Sequence, residues 1–233
     1  MKFFHDEGVV LRKHDVGEKD EVVILLTKAH GKMPFVAKGS RDPKSRKAGA
    51  LQIFNTVAFE ARQGKGKMPY LQQVKSLASR SLAIVGASEN LDWFYRAAEV
   101  LKITDALVQE MQSVQRVYED LNIVLNAVSV QWIVLIYWIR LFQDLGFVPD
   151  WSSCCVCDEG LSLEEPIVFS AENKGFAHQS CVSLPLPTVH GDVIKLMSFF
   201  QRADLSASLR VEVSEKLAVQ VKNYLEEIKA HSH

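Results

Sequence analysis

Cysteine occurs in only one region of this 233-residue chain, as "CCVC" at 154–157 and a last residue at 181, three positions after His178. Cys154, Cys157, His178 and Cys181 give the spacing C-x2-C-x20-H-x2-C. The stretch that holds them, residues 151–187, is interspersed with Gly, Pro and Ser and is too short to bury a core, so it needs a staple. Two short knuckles separated by a hairpin-sized insert are how small structural zinc sites are assembled, because each x2 turn brings two ligands together. The insert "GLSLEEPIVFSAENKGFA" carries a β-type run at 167–169 and a turn signal at Asn173-Lys174-Gly175. Those would fold the second knuckle back onto the first.

Cys155 is the spare thiol. Pairing it with Cys157 leaves one intervening residue, a poor knuckle spacing, so Cys154 is the better first ligand. A redox C-x-x-C pair opens a helix after a strand in a βαβ unit, and none surrounds Cys154. A Cys–His nucleophile pair would need an acid or amide partner, and none is suitably spaced. Four protein ligands leave no open position, which makes the expected zinc ion structural and leaves no catalytic residue to assign. The alternative is a zinc-dependent enzyme with a barrel accessory domain. It needs an open ligand position and a general base, for which Glu159, Glu164 and Glu165 are nearby.

Residues 1–80 have the grammar of short strands: "GVVLRK", "DEVVILLT", "KMPFVAK", "LQIFNTVAFEA" and "MPYLQQVKSL", separated by Gly-containing turns. Five such strands closed on themselves suggest an oligonucleotide-binding (OB) barrel, with a small open sheet as the alternative. This front part holds 16 Lys/Arg against 8 Asp/Glu, while residues 81–233 hold 11 against 20. Such asymmetry points to domains with different partners. Between 32 and 67 lie Lys32, Lys38, Arg41, Lys44, Arg46, Lys47, Arg62, Lys65 and Lys67, opposed by Asp42 and Glu60. The Gly- and Pro-containing part at 39–49 reads as a flexible loop able to follow a phosphate backbone with little sequence preference. Phe35, Phe54, Phe59 and Tyr70 are the candidate stacking platforms beside it.

Residues 88–145 read as helical. Phe94, Ala97, Ala98, Leu101 and Ala106 fall near one face, and Gly146 and Pro149 end a helix over 130–145. A last helix repeats apolar residues at Leu217, Val221, Tyr224, Leu225 and Ile228. The expected division is a barrel at 1–80, a helical domain at 81–150 and 188–233, and the zinc insertion at 151–187. The start "MKFFHDEGVV" lacks a leader's apolar stretch, and the apolar run 130–142 is short for a bilayer and contains Arg140. A cytoplasmic protein with reduced thiols and no membrane contact is expected.

These residues carry a resemblance. "DVGEKDEVVILLTKAHGK", the basic "VAKGSRDPKSR", "ALQIF", "DLGFVPDWSSCCVC" and "FSAENKGFAHQSC" occur in the order found in the RecO family of bacterial recombination mediators. The chain departs from the family pattern at His178, commonly cysteine, and at Lys174-Gly175, commonly Gly-Gly. The resemblance implies a non-catalytic, nucleoid-associated role in DNA repair. RecO proteins bind single- and double-stranded DNA, anneal complementary strands and contact the acidic tail of single-stranded DNA-binding protein (SSB). With RecR they help load RecA onto coated strands. A tail ending in acidic and apolar residues needs an apolar pocket with a cation at its rim, and Arg116 and Arg140 are the candidates.

Overall fold

The length of the first strand, β1 (Phe3–Val16), closes the front domain. Its first half pairs antiparallel with β4 (Thr56–Arg62), from Phe3 opposite Arg62 to Val9 opposite Thr56. Its second half pairs with β2 (Asp20–Thr27), from Gly8 opposite Thr27 to Val16 opposite Asp20. The β1–β2 register slips between Val10 and Arg12, a bulge of the kind that bends one strand between two sheets. Strand β3 (Gly31–Ala37) continues the meander, and β5 (Tyr70–Ala78) runs antiparallel to β4. A short parallel contact of Val36 with Tyr70 seals the order β1-β2-β3-β5-β4 into a closed five-stranded barrel, as the OB reading requires.

This computed structural model describes residues 2–42, 44–64, 66, 68–80, 91–128 and 130–231, and only the backbone of Arg46. Two compact units result, Met1–Ser129 and Val130–His233, so the division falls inside the segment read as 81–150.

Strand alternation fills the barrel with Phe4, Val10, Val23, Leu25, Phe35, Val57, Phe59 and Leu71, and Phe35 meets Phe59 edge-on at 4.9 Å. Strand β2 is buried along nearly all its length, because α3 (Gln115–Asn126) lies against β1 and β2 and α2 (Leu91–Leu107) against β1. Its unbroken apolar run is therefore that of a strand covered on both faces.

Two local expectations shift. Residues 46–50, read as loop, form a short helix, α1 (Arg46–Ala50), started by Ser45, whose Oγ accepts from the Lys47 amide. Ala50 and Leu51 then enter the barrel core, so "LQIFN" is turn and β4 begins at Thr56. On α2 the buried face is Ala97, Val100, Leu101, Ile103, Thr104 and Leu107. It is rotated from the expected stripe because Val100, Ile103 and Leu107 bury more apolar area than Ala98 and Ala106 would.

Within the first unit, buried Arg80 ties the end of the barrel to α3. Its Nη1 donates to the Phe54 carbonyl at 2.9 Å and Thr56 Oγ1 at 2.8 Å, and its Nε to Asn126 Oδ1 at 3.0 Å.

The second unit packs α4 (Ile133–Asp144), α5 (Gly191–Arg202) and α7 (Glu215–Ala230) against one another, with α6 (Leu205–Ser208) beside α5. Helix α4 buries Ile133, Leu135, Ile136, Tyr137, Trp138, Ile139, Leu141 and Phe142, which accounts for its run of apolar residues. Helix α7 buries Ala218, Val221, Leu225 and Ile228, with the expected Leu217 and Tyr224 at the margin. Between α4 and α5 the hairpin β6 (Ile167–Ser170) and β7 (Gly175–His178) carries the cysteine segment. Among the described residues, no helix is long and apolar enough to cross a membrane.

Candidate metal centre and nucleic-acid interface

The first knuckle is a tight turn. Asp158 takes a left-handed conformation (φ 63°), its amide donates to the Cys154 carbonyl at 2.9 Å, and the Cys154 amide donates to the Glu159 carbonyl at 2.8 Å. Leu161 N donates back to Ser152 O at 3.0 Å, closing a small ladder around the turn. The second knuckle starts at the end of β7: His178 is its last residue, and a single 3₁₀ turn over Gln179–Cys181 delivers the last thiol. The hairpin turn runs through Lys174, also left-handed (φ 53°), and Gln179 N donates to Pro166 O at 3.0 Å.

The knuckles meet directly. Cys155 N donates to Phe176 O on β7 at 2.8 Å. A Cβ on Gly175 would lie 2.7 Å from Pro149 Cγ and 2.9 Å from Cys155 Cβ, so only glycine permits this approach. Cys155 is thus a packing residue between the knuckles, and its thiol is pushed up by burial and then by its neighbour Cys154. The strand leading in is anchored to α5. Fully buried Trp151 receives Gln201 Oε1 on its amide at 2.9 Å, and its indole Nε1 donates to Lys174 O at 3.0 Å.

The ligand atoms of Cys154, Cys157, His178 and Cys181 all lie within 4.8 Å of one another. His178 Nδ1 is 3.6 Å from Cys157 Sγ and 3.8 Å from Cys181 Sγ. A zinc tetrahedron with bonds of about 2.3 Å to sulfur and about 2.0 Å to nitrogen has edges of roughly 3.5–3.8 Å, so the donor set fits. Burial pushes the Cys154 thiol up. Backbone N–H groups of Cys157, Val156 and His178 aimed at its sulfur more than offset this and bring it down to about 6. Cys181 is raised to about 11, first by its hydrogen bond with Cys157 and then by burial. The unmetallated thiols thus share protons, which a bound cation would displace. Glu159, Glu164 and Glu165 are exposed.

The nine cations proposed for DNA do not share one surface. Lys38, Arg41 and Lys44 are exposed around the turn after β3. Arg41 bridges to the β1–β2 turn, with Nη2 3.1 Å from Asp15 Oδ2. Lys47 is half-buried, its Nζ donating to Leu71 O at 2.8 Å, and burial lowers its pKa although Asp20 opposes this. Arg62 ends β4 half-exposed. Lys32 is placed elsewhere: it is buried, and its ammonium holds the Asp105 carbonyl and carboxylate. Lys65 and Lys67 lie outside the described residues, as does the side chain of Arg46. Of the candidate platforms, Phe35, Phe54 and Phe59 are in the core and Tyr70 is half-exposed. Arg116 is exposed on α3 in the first unit. Arg140 belongs to the second unit, where its Nη1 donates to Ala203 O at the end of α5 at 2.9 Å.

The chain matches two family models along almost its whole length: "Recombination protein O N terminal" over residues 1–80 and "Recombination protein O C terminal" over residues 88–231. It is 25% identical to the DNA repair protein RecO of Bacillus cytotoxicus over 229 residues, covering 94% of this chain and 88% of that one. The corresponding protein of Bacillus subtilis is 26% identical over 231 residues, covering 95% and 88%. That of Halalkalibacterium halodurans is 24% identical over 240 residues, covering 97% and 89%.

Proposed function

Because the chain belongs to the RecO family, we propose that it is a non-catalytic mediator of DNA repair and recombination. In this reading it binds single- and double-stranded DNA, anneals complementary strands and, with RecR, helps load RecA onto SSB-coated strands in the cytoplasm at the nucleoid. The supporting observation is a closed barrel whose turn after β3 presents exposed cations, in a chain matched by both halves of the family.

The mechanism follows from charge. Lys38, Arg41 and Lys44 neutralise phosphates and release counterions without reading bases, so two strands of any sequence are held close enough to pair. A Zn2+ ion on Cys154, Cys157, His178 and Cys181 would supply fold stability to residues 151–187, with no position open for water. The helical parts at 81–150 and 188–233 would carry partner contacts, including an SSB tail at Arg116 or Arg140. The test is strand annealing across salt concentrations, with bare and SSB-coated strands. The triple substitution Lys44→Ala, Arg46→Ala, Lys47→Ala should weaken binding and flatten the log–log salt slope by about 0.7–0.9 per phosphate contact removed. Unchanged binding with an unchanged slope removes the loop from the interface.

A further inference from the structure

Three strands align a row of side chains that backbone charge alone does not explain. Phe3 on β1 lies opposite Arg62 on β4, and Arg62 lies opposite Tyr70 on β5. Their neighbours Phe4, Ala61 and Leu71 are in the core, so the pleat turns the row to the outside of the barrel. Phe3 is 57% exposed, and Arg62 and Tyr70 are half-exposed. Lys38 extends the row, its Nζ 4.8 Å from the centroid of the Tyr70 ring. The pattern is ring, cation, ring, cation. Gly64 leaves room for it, since a Cβ there would come within 3.0 Å of Tyr70 Cε2.

We propose that Phe3, Arg62, Tyr70 and Lys38 form a stacking track for consecutive bases of single-stranded DNA, an inference that rests on the barrel being the DNA-binding module. Two strand spacings put the rings about 10 Å apart, a gap that splayed neighbouring nucleotides bridge. Between the rings, the Arg62 guanidinium offers both a plane for a base and a charge for a phosphate. An exposed cation–π contact is weaker than base stacking, so an incoming base displaces Lys38 from Tyr70 onto the strand's own phosphate. The next row, His5–Glu60–Gln73, brings in the Glu60 carboxylate, with Asp6 and Glu7 close by on β1. Those carboxylates repel phosphates and confine the strand to the Phe3–Tyr70 end. Bases already paired in a duplex present no free face to such a track, so it selects single strands.

The experiment uses the full chain and three probes: a 20-nucleotide oligothymidylate, an abasic strand of equal length, and a duplex, each followed by fluorescence anisotropy. The double variant Phe3→Ala, Tyr70→Leu should lose about tenfold or more in affinity for oligothymidylate. Its affinities for the abasic strand and the duplex, and its salt slope, should stay at the wild-type values, and Tyr70→Phe should bind all three probes as wild type does. Undiminished oligothymidylate binding by the double variant, or an equal loss on the abasic strand, would overturn the track while leaving DNA binding by the barrel intact. Failure of the wild-type chain to bind any probe would overturn both. If the double variant melts early, Phe3→Ala alone, at an exposed position, reads the same contrast between oligothymidylate and abasic strand.

Discussion

Gly175 and Lys174 sit side by side in the hairpin turn and meet opposite demands. At Gly175 the obstacle is space, since Pro149 and Cys155 occupy the volume a methyl group would need. Gly175→Ala should therefore destabilise the second unit by about 1–3 kcal/mol, visible as a lower denaturation midpoint and faster zinc release to a chromophoric chelator. At Lys174 the obstacle is the backbone, which holds φ at 53°. That region costs a side-chain-bearing residue about 1–2 kcal/mol, against about 0.5–1 kcal/mol of extra chain entropy lost by glycine. Lys174→Gly should thus raise stability slightly, and a clear loss in thermal melting would contradict this account. For the ligands, Cys155→Ser should keep one zinc per chain. His178→Ala should weaken zinc at least as much as losing an outer-shell partner does, about 10–100-fold.

At the scale of elements, the joint between barrel and α3 depends on one side chain. Arg80 satisfies the Phe54 carbonyl, Thr56 Oγ1 and Asn126 Oδ1 from a buried position. Removing the donor strands several buried acceptors at once, each worth about 1–3 kcal/mol. Arg80→Met should cost about 2–4 kcal/mol in urea unfolding of the first unit, although it changes no residue assigned to DNA. The same clamp holds Phe54, which has φ 75° and packs edge-on against Trp93 at 5.3 Å. A conformation that costs about 1–3 kcal/mol persists there because its surroundings fix it.

For the molecule as a whole, charge and metal are carried by different parts of the chain. The excess of Lys/Arg lies in residues 1–80, whereas the ligands lie at 154–181. A structural ion contributes folding free energy to the segment that binds it. Stripping it with a chelator should lower the melting temperature and loosen residues 151–187 to proteolysis, while affinity for single-stranded DNA stays unchanged. A loss of DNA affinity in step with zinc loss would mean that the two functions are coupled.

The metal centre was legible in the amino-acid sequence because its chemistry is local: two knuckles of fixed spacing and a turn signal bring four ligand types together whatever surrounds them. The strands of the barrel were legible for a similar reason, since alternation and turn residues act over a few positions. Which cations face outward was not. Lys32 and Lys38 belong to one basic stretch, yet one is buried on Asp105 and the other lies over Tyr70. Nor could the row joining Phe3 to Tyr70 be read along the chain, because strand register is set by pairing between distant segments and only the closed barrel brings those residues onto one surface.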